Sequence, residues 1–223
     1  MTRRALQLGT VALLLLTAGA ATTGGWAVVT VTDLPEYVTV GEPFRIEYTV
    51  RQHGATVLAD LAGSVVAASG EREIKGPLTS ANGRYAAVLT VPTTGAWAIS
   101  INSGFLASNV KLDPIIAIVP GAQAPPSSTP SERGRHLFVA KGCGTCHVYP
   151  GVANSGLVPV GPEITPGRLA ADYIARVLAD PTAAVIPPGA SFAMPNLDLK
   201  PAEITALVAF LAGPSRQVAA GRF

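Results

Sequence analysis

The chain has 223 residues, 48% of them hydrophobic, enough to build real cores and to exclude a disordered tail. Lys and Arg number 16 against 14 Asp and Glu, a net charge of +2 that gives no basic field and excludes nucleic-acid binding. With 23 Gly and 19 Pro, short strands, turns and linkers are favoured over a long helical architecture.

Residues 1–20 carry Arg3 and Arg4, an apolar run around Val11 to Leu16, and Ala18-Gly19-Ala20, the three regions of a secretory signal. The apolar run is shorter than the roughly 20 residues of a comfortable membrane span. Cleavage after Ala20 is the expected outcome, with an uncleaved N-terminal anchor as its rival. Neither cysteine lies at this junction, which excludes a lipid-modified cysteine there. Either outcome places the remainder outside the cytoplasm, in the periplasm or on the outer face of the inner membrane.

Residues 21–119 read as successive short strands. In FRIEYTVR, Phe44, Ile46, Tyr48 and Val50 fall on one face, with Arg45, Glu47 and Arg51 at polar positions, a period of two. RYAAVLTVP and AWAISINS follow, with Tyr85 and Trp97 as inward anchors and a turn at Thr93 to Gly95. About seven strands at this spacing predict an antiparallel β-sandwich. Residues 120–130, rich in Pro and Ser and without charge, read as a solvated linker.

From residue 131 the period becomes helical. Thr129-Pro130-Ser131-Glu132 forms a capping box with Pro at the first helical position, and Gly134, Leu137, Phe138 and Lys141 share one side of the helix that follows. A second helix is expected from Thr165-Pro166, with Ala170, Tyr173, Ile174, Val177 and Leu178 as its apolar stripe. A third starts at Pro201, places Ile204, Leu207, Val208 and Leu211 on one face, and stops at Gly213-Pro214.

The first of these helices runs straight into KGCGTCHVYP, which contains both cysteines of the chain, Cys143 and Cys146, followed by His147. A disulfide across two intervening residues closes a tiny loop and restrains little of the unfolded chain. A zinc site needs about four protein ligands, and the remaining histidines are only His53 and His136. A redox dithiol wants a βαβ context that the sequence lacks. Covalent attachment of one haem c accounts for all three residues: the two thiols add to the porphyrin vinyl groups and the adjacent imidazole meets the iron.

Apart from Met1 the chain has a single methionine, Met194, in FAMPNLDL, a loop flanked by Pro187, Pro188, Gly189 and Pro195. A thioether held there is expected as the sixth iron ligand opposite His147, in preference to core filler. His136 and His53 read as surface or loop residues. Arg168 and Arg176 are candidates for a haem propionate or simply for an exposed helix face.

The pieces GRHLFVAKGCGTCH, VGPEI, ADYIARVLADP, AMPNL and KPAEITALVAFLAG, over about residues 129 to 215, resemble a class I monohaem cytochrome c. The resemblance implies an all-α cytochrome c fold for 131–223, with Gly134 and Phe138 where the first helix crosses the last, against Phe210 and Leu211. It further implies that the Pro162 carbonyl accepts the Nδ1 proton of His147, and that Tyr173 packs in the haem pocket. VTVGEPFRIEYTVRQHGATVL with GRYAAVLTVPTTGAWAISI is similar to exported immunoglobulin-like domains of the YtkA or FixH type. That segment offers no nucleophile with a paired base, no carboxylate pair and no phosphate loop, so a docking or spacer role is expected and no enzyme.

The expected function is an exported c-type cytochrome that carries single electrons between extracytoplasmic redox partners, redox proteins or a membrane respiratory or photosynthetic complex. A haem-based sensor or a haem subunit of a larger oxidoreductase is the alternative. Membrane association through the N-terminus is possible on the anchor reading.

Overall fold

A computed structural model describes residues 25–153, 156–185 and 192–213. The signal segment and the prolines and glycine expected to stiffen the loop before Met194, Pro187, Pro188 and Gly189, lie outside the described residues, as does Pro214 of the expected stop.

Among the described residues, eleven strands form two facing sheets. One sheet holds, in spatial order, β1 (Ala27–Val31), β3 (Pro43–Gln52), β8 (Arg84–Thr90) and β7 (Leu78–Ala81), with the short β4 (Thr56–Val57) on β3. The other runs β2 (Tyr37–Thr39), β11 (Ile115–Ile118), β9 (Gly95–Asn102), β5 (Ser64–Ser69) and β6 (Arg72–Lys75), with β10 (Asn109–Lys111) on β9. Six of these strands are two- to four-residue pieces, too short to show a period in the sequence, so there are more than the seven expected.

The period of two in β3 turns Ile46, Tyr48 and Val50 into the space between the sheets, where each is fully buried. Tyr85, beside Tyr48 on the neighbouring strand, and Trp97, from the opposite sheet, share this core, also fully buried, and both keep their polar ends satisfied. The Tyr85 hydroxyl donates to the Leu58 carbonyl at 2.9 Å, and Trp97 Nε1 donates to the Thr93 carbonyl at 2.9 Å. Such rings bury a large apolar area without stranding a donor.

Three helices follow among the described residues: α1 (Pro130–Ala140), α2 (Ala171–Ala179) and α3 (Pro201–Leu211). The capping box forms as read, with Thr129 Oγ1 accepting from the Glu132 amide and the Glu132 carboxylate accepting from the Thr129 amide. α2 begins six residues later than Thr165, because residues 166–169 form turns around Gly167, whose φ is +71°, and Ala170 enters the helix extended. α1 crosses α3 at Gly134, where an added Cβ would lie 2.0 Å from the Ala206 carbonyl oxygen. Only a glycine lets the two backbones approach so closely.

The expected fold class is corrected in two respects. First, β2 pairs with β11 in parallel, Ile116 opposite Tyr37 and Ile118 opposite Thr39, so the sandwich is not purely antiparallel. Second, the described residues from 131 onward do not stand apart as an all-α cytochrome c domain: α1 lies against β1 and β10 of the sandwich, α3 packs on α1, and α2 packs on α3. All five residues of β1 are buried. Ala27, Val29 and Val31 belong to the core between the sheets, whereas Val28 and Thr30 face the helical segment. A strand covered on both faces reads as an unbroken apolar run, which is what AVVTV is apart from Thr30.

Polar groups complete the contact. Lys141, almost wholly buried, donates to the Thr32 carbonyl at 2.8 Å and pairs with Glu203 of α3 at 2.7 Å. Arg133 donates to the Leu34 carbonyl at 2.6 Å, and Arg135 pairs with Asp113 at 2.8 Å. Lys200 pairs with Asp33.

Candidate functional site

The site begins where α1 ends. Gly142, at φ +77°, turns the chain over β1, and an added Cβ would sit 2.6 Å from the Val29 carbonyl oxygen. One 3-10 turn, Cys143–Thr145, then folds the motif onto itself: the amides of Cys146 and His147 both donate to the Cys143 carbonyl, at 3.2 and 3.0 Å. The sequence spacing thereby becomes a cluster, and no disulfide joins the two cysteines.

His147 Nδ1 lies 2.8 Å from the Pro162 carbonyl oxygen. A carbonyl only accepts, so Nδ1 carries the proton and Nε2 keeps its lone pair. Gly161 allows this packing: a Cβ there would fall 2.6 Å from His147 Cε1. Burial holds the imidazole below its ordinary pKa, and the Pro162 bond partly opposes it, so the ring is neutral at pH 7. Burial, with the neighbouring Cys146, pushes the Cys143 thiol up to about 12, and burial pushes Cys146 to about 11. Neutral thiols are poor nucleophiles and poor metal ligands, which argues against a redox dithiol.

These groups open on a cavity of about 520 Å³. Its wall is mostly apolar, with Ile164, Leu169, Ile174 and Val177 among its residues. Every site residue predicted from the sequence lines it: Cys143, Cys146, His147, Met194, Phe138, Pro162 and Tyr173. Met194 comes from the loop ahead of α3 and is half-buried against the helical core. The Tyr173 hydroxyl accepts from the Val185 amide at 3.3 Å, and the Arg176 guanidinium lies 5.8 Å from the centre of its ring. A second cavity of about 440 Å³, on the β9–β10 side of α1, shares Phe138 and Gly142 with the first.

Sequence reading missed one wall. Trp26, Val28 and His53 of the strand segment also line the main cavity. His53 reads as an isolated loop histidine because its neighbours here are about 27 and 139 positions away in the chain, beyond any local period. His136, as expected, is elsewhere, 3.7 Å from Asp113.

No family model matches the chain, and no curated protein matches it. Solved structures to which it is similar include the Lin-41 filamin domain, at 11% identity over 42% of this chain and 93% of that one, with a TM-score of 0.35. The ZirS C-terminal domain matches at 17% over 41% and 65%, TM-score 0.34, and domains 4–9 of the surface-layer protein SbsC at 19% over 44% and 15%, TM-score 0.33. The chain spans less than two thirds of the latter two, and likenesses this slight say nothing of activity or ligand.

Several expectations are corrected here. Membership of the class I monohaem cytochromes c is not upheld by any family or curated match, nor is the YtkA or FixH likeness. Among the described residues no group of three or more His, Cys, Asp and Glu is placed to hold a metal ion. The buried carboxylate of Glu203 is committed to Lys141. The haem c cofactor is therefore withdrawn as an assignment, and with it single-electron transfer, the haem-sensor alternative and the haem-subunit alternative. The Cys143-Gly-Thr-Cys146-His147 motif and Met194 together bring two sulfur-bearing cysteines, an imidazole and a thioether to one apolar cavity.

Proposed function

We propose that the chain is an exported binding protein, not an enzyme, whose site is the cavity between the strand and helical segments. The strand segment comprises residues 21–119, the linker 120–130 and the helical segment 131–223. The ligand class is an extended, mainly apolar small molecule, since a cavity of about 520 Å³ with this lining is of the size and character that bury such molecules. Cys143, Cys146, His147 and Met194 hold it, while Phe138, Pro162 and Tyr173 shape the pocket. Extracytoplasmic location rests on the secretory pattern of residues 1–20, and among the described residues no helix is long and apolar enough to cross a membrane. Exported or membrane-held proteins are the proposed partners, and a net charge of +2 favours no nucleic acid.

The observation that carries this reading is the meeting of Met194 with a motif some fifty residues earlier on one cavity, around an imidazole whose Nε2 lone pair is left unprotonated. Native mass spectrometry of the exported chain tests it. A mass above that of the polypeptide, reduced in His147→Ala and in the Cys143→Ala/Cys146→Ala double variant, is the expected result. A bare chain mass under conditions that preserve folded complexes would overturn it.

A further inference from the structure

Three rings close one side of the cavity, and two of them come from the strand segment. Trp26 stands just ahead of β1, His53 occupies the turn between β3 and β4 in a left-handed conformation (φ +51°), and Phe192 precedes Met194 by two residues. Each ring touches the other two: Trp26 and His53 at 5.5 Å between centroids, Trp26 and Phe192 at 5.4 Å, both edge-on, and His53 and Phe192 at 5.8 Å. On the far side of Met194, Pro195 lies against the same turn, its Cγ 3.4 Å from the place a Cβ of Gly54 would take. The loop that carries Met194 is thus supported on both sides by residues 26 and 53–54.

Residues 192–200 contain no helix or strand, so among the described residues no regular backbone pairing within the helical segment fixes this loop. From these contacts we infer that the strand segment gates the cavity and that Trp26 and His53 are positioning residues for Met194. The inference deepens the reading of the cavity as a binding site and rests on it for its purpose, though not for its geometry. The sandwich is then a wall of the site, in place of the spacer expected from sequence. Edge-to-face ring pairs of this kind add to simple area burial, and a cluster of three must separate for a large molecule to pass.

Oxidation of Met194 by hydrogen peroxide tests the gate without any ligand. Peroxide transfers one oxygen to the thioether, giving the sulfoxide and water, and peptide mass mapping follows Met194 alone. In the full-length chain, Trp26→Ala and Phe192→Ala are expected to speed this oxidation severalfold. Trp26→Phe, which keeps a ring, restores protection, and Val88→Ala on an exposed strand position leaves the rate unchanged. An unchanged rate in Trp26→Ala and His53→Ala would overturn the gate while leaving the binding site intact. If the binding site itself is wrong, that failure shows separately, as the bare mass described above.

Discussion

At the scale of single residues, the thiols are the most direct probe of the site. A thiol whose pKa is raised on folding stays protonated where an unfolded thiol, near about 8.5, has already ionised. With Cys143 pushed up to about 12 and Cys146 to about 11, alkylation by iodoacetamide is expected to be slow at pH 8 and to accelerate only as pH approaches 11. Cys146 should react before Cys143. The same shift makes a stability statement: the contribution is fully present below the unfolded thiol pKa and is lost as pH rises from there through the folded values. A pH titration of alkylation, read by peptide mass, checks this, and rapid labelling of both thiols at pH 7 in the folded chain would contradict it. His147 acts at the other end, since its folded pKa is depressed and stability falls as pH drops through the ordinary imidazole range. Cys143, Cys146, His147 and Met194 were legible because each is a rare chemical type in a short motif or a sole occurrence in the exported part. Trp26, His53 and Phe192 were not legible, because what defines them is contact between distant segments and none belongs to a motif.

At the scale of elements, the joint between α1, α3 and β1 carries the most concentrated interaction. Lys141 is 3% exposed and its ammonium satisfies two acceptors at once, Glu203 of α3 and the Thr32 carbonyl beyond β1. Removing the lysine leaves a buried carboxylate with no counter-charge, an effect on the order of 3–5 kcal/mol. Lys141→Met is therefore expected to lower the urea midpoint substantially, and Lys141→Met/Glu203→Leu to recover much of the loss because it removes the stranded charge. Equal destabilisation by the single and double variants would show that packing, and not the charge pair, sets the joint. α1 and α3 could be read in advance, since the capping box of α1, the Pro that opens each helix and their apolar spacing are local signals. The start of α2 could not, because the turn at Gly167 competes with the Thr165-Pro166 start signal and wins. The parallel pairing of β2 with β11 joins three- and four-residue strands about eighty positions apart, a relation no period of two encodes.

At the scale of the whole molecule, two segments that look separable in sequence share one site. The change of period near residue 130 and the Pro- and Ser-rich stretch before it mark a boundary in the sequence, but they are silent on docking. Docking is visible only in the burial of both faces of β1 and in Gly142, whose missing side chain admits the Val29 carbonyl. One wall of the cavity belongs to the strands and the other to the helices, so ligand retention depends on the joint as much as on the motif. Diffraction from crystals of the exported chain measures this directly. The expected electron density shows a bound molecule in the cavity, within reach of Cys143, Cys146, His147 and Met194 and covered by Trp26 and His53. A cavity holding only ordered water, or helices standing clear of β1 with Trp26 and His53 apart from Phe192, would contradict the account.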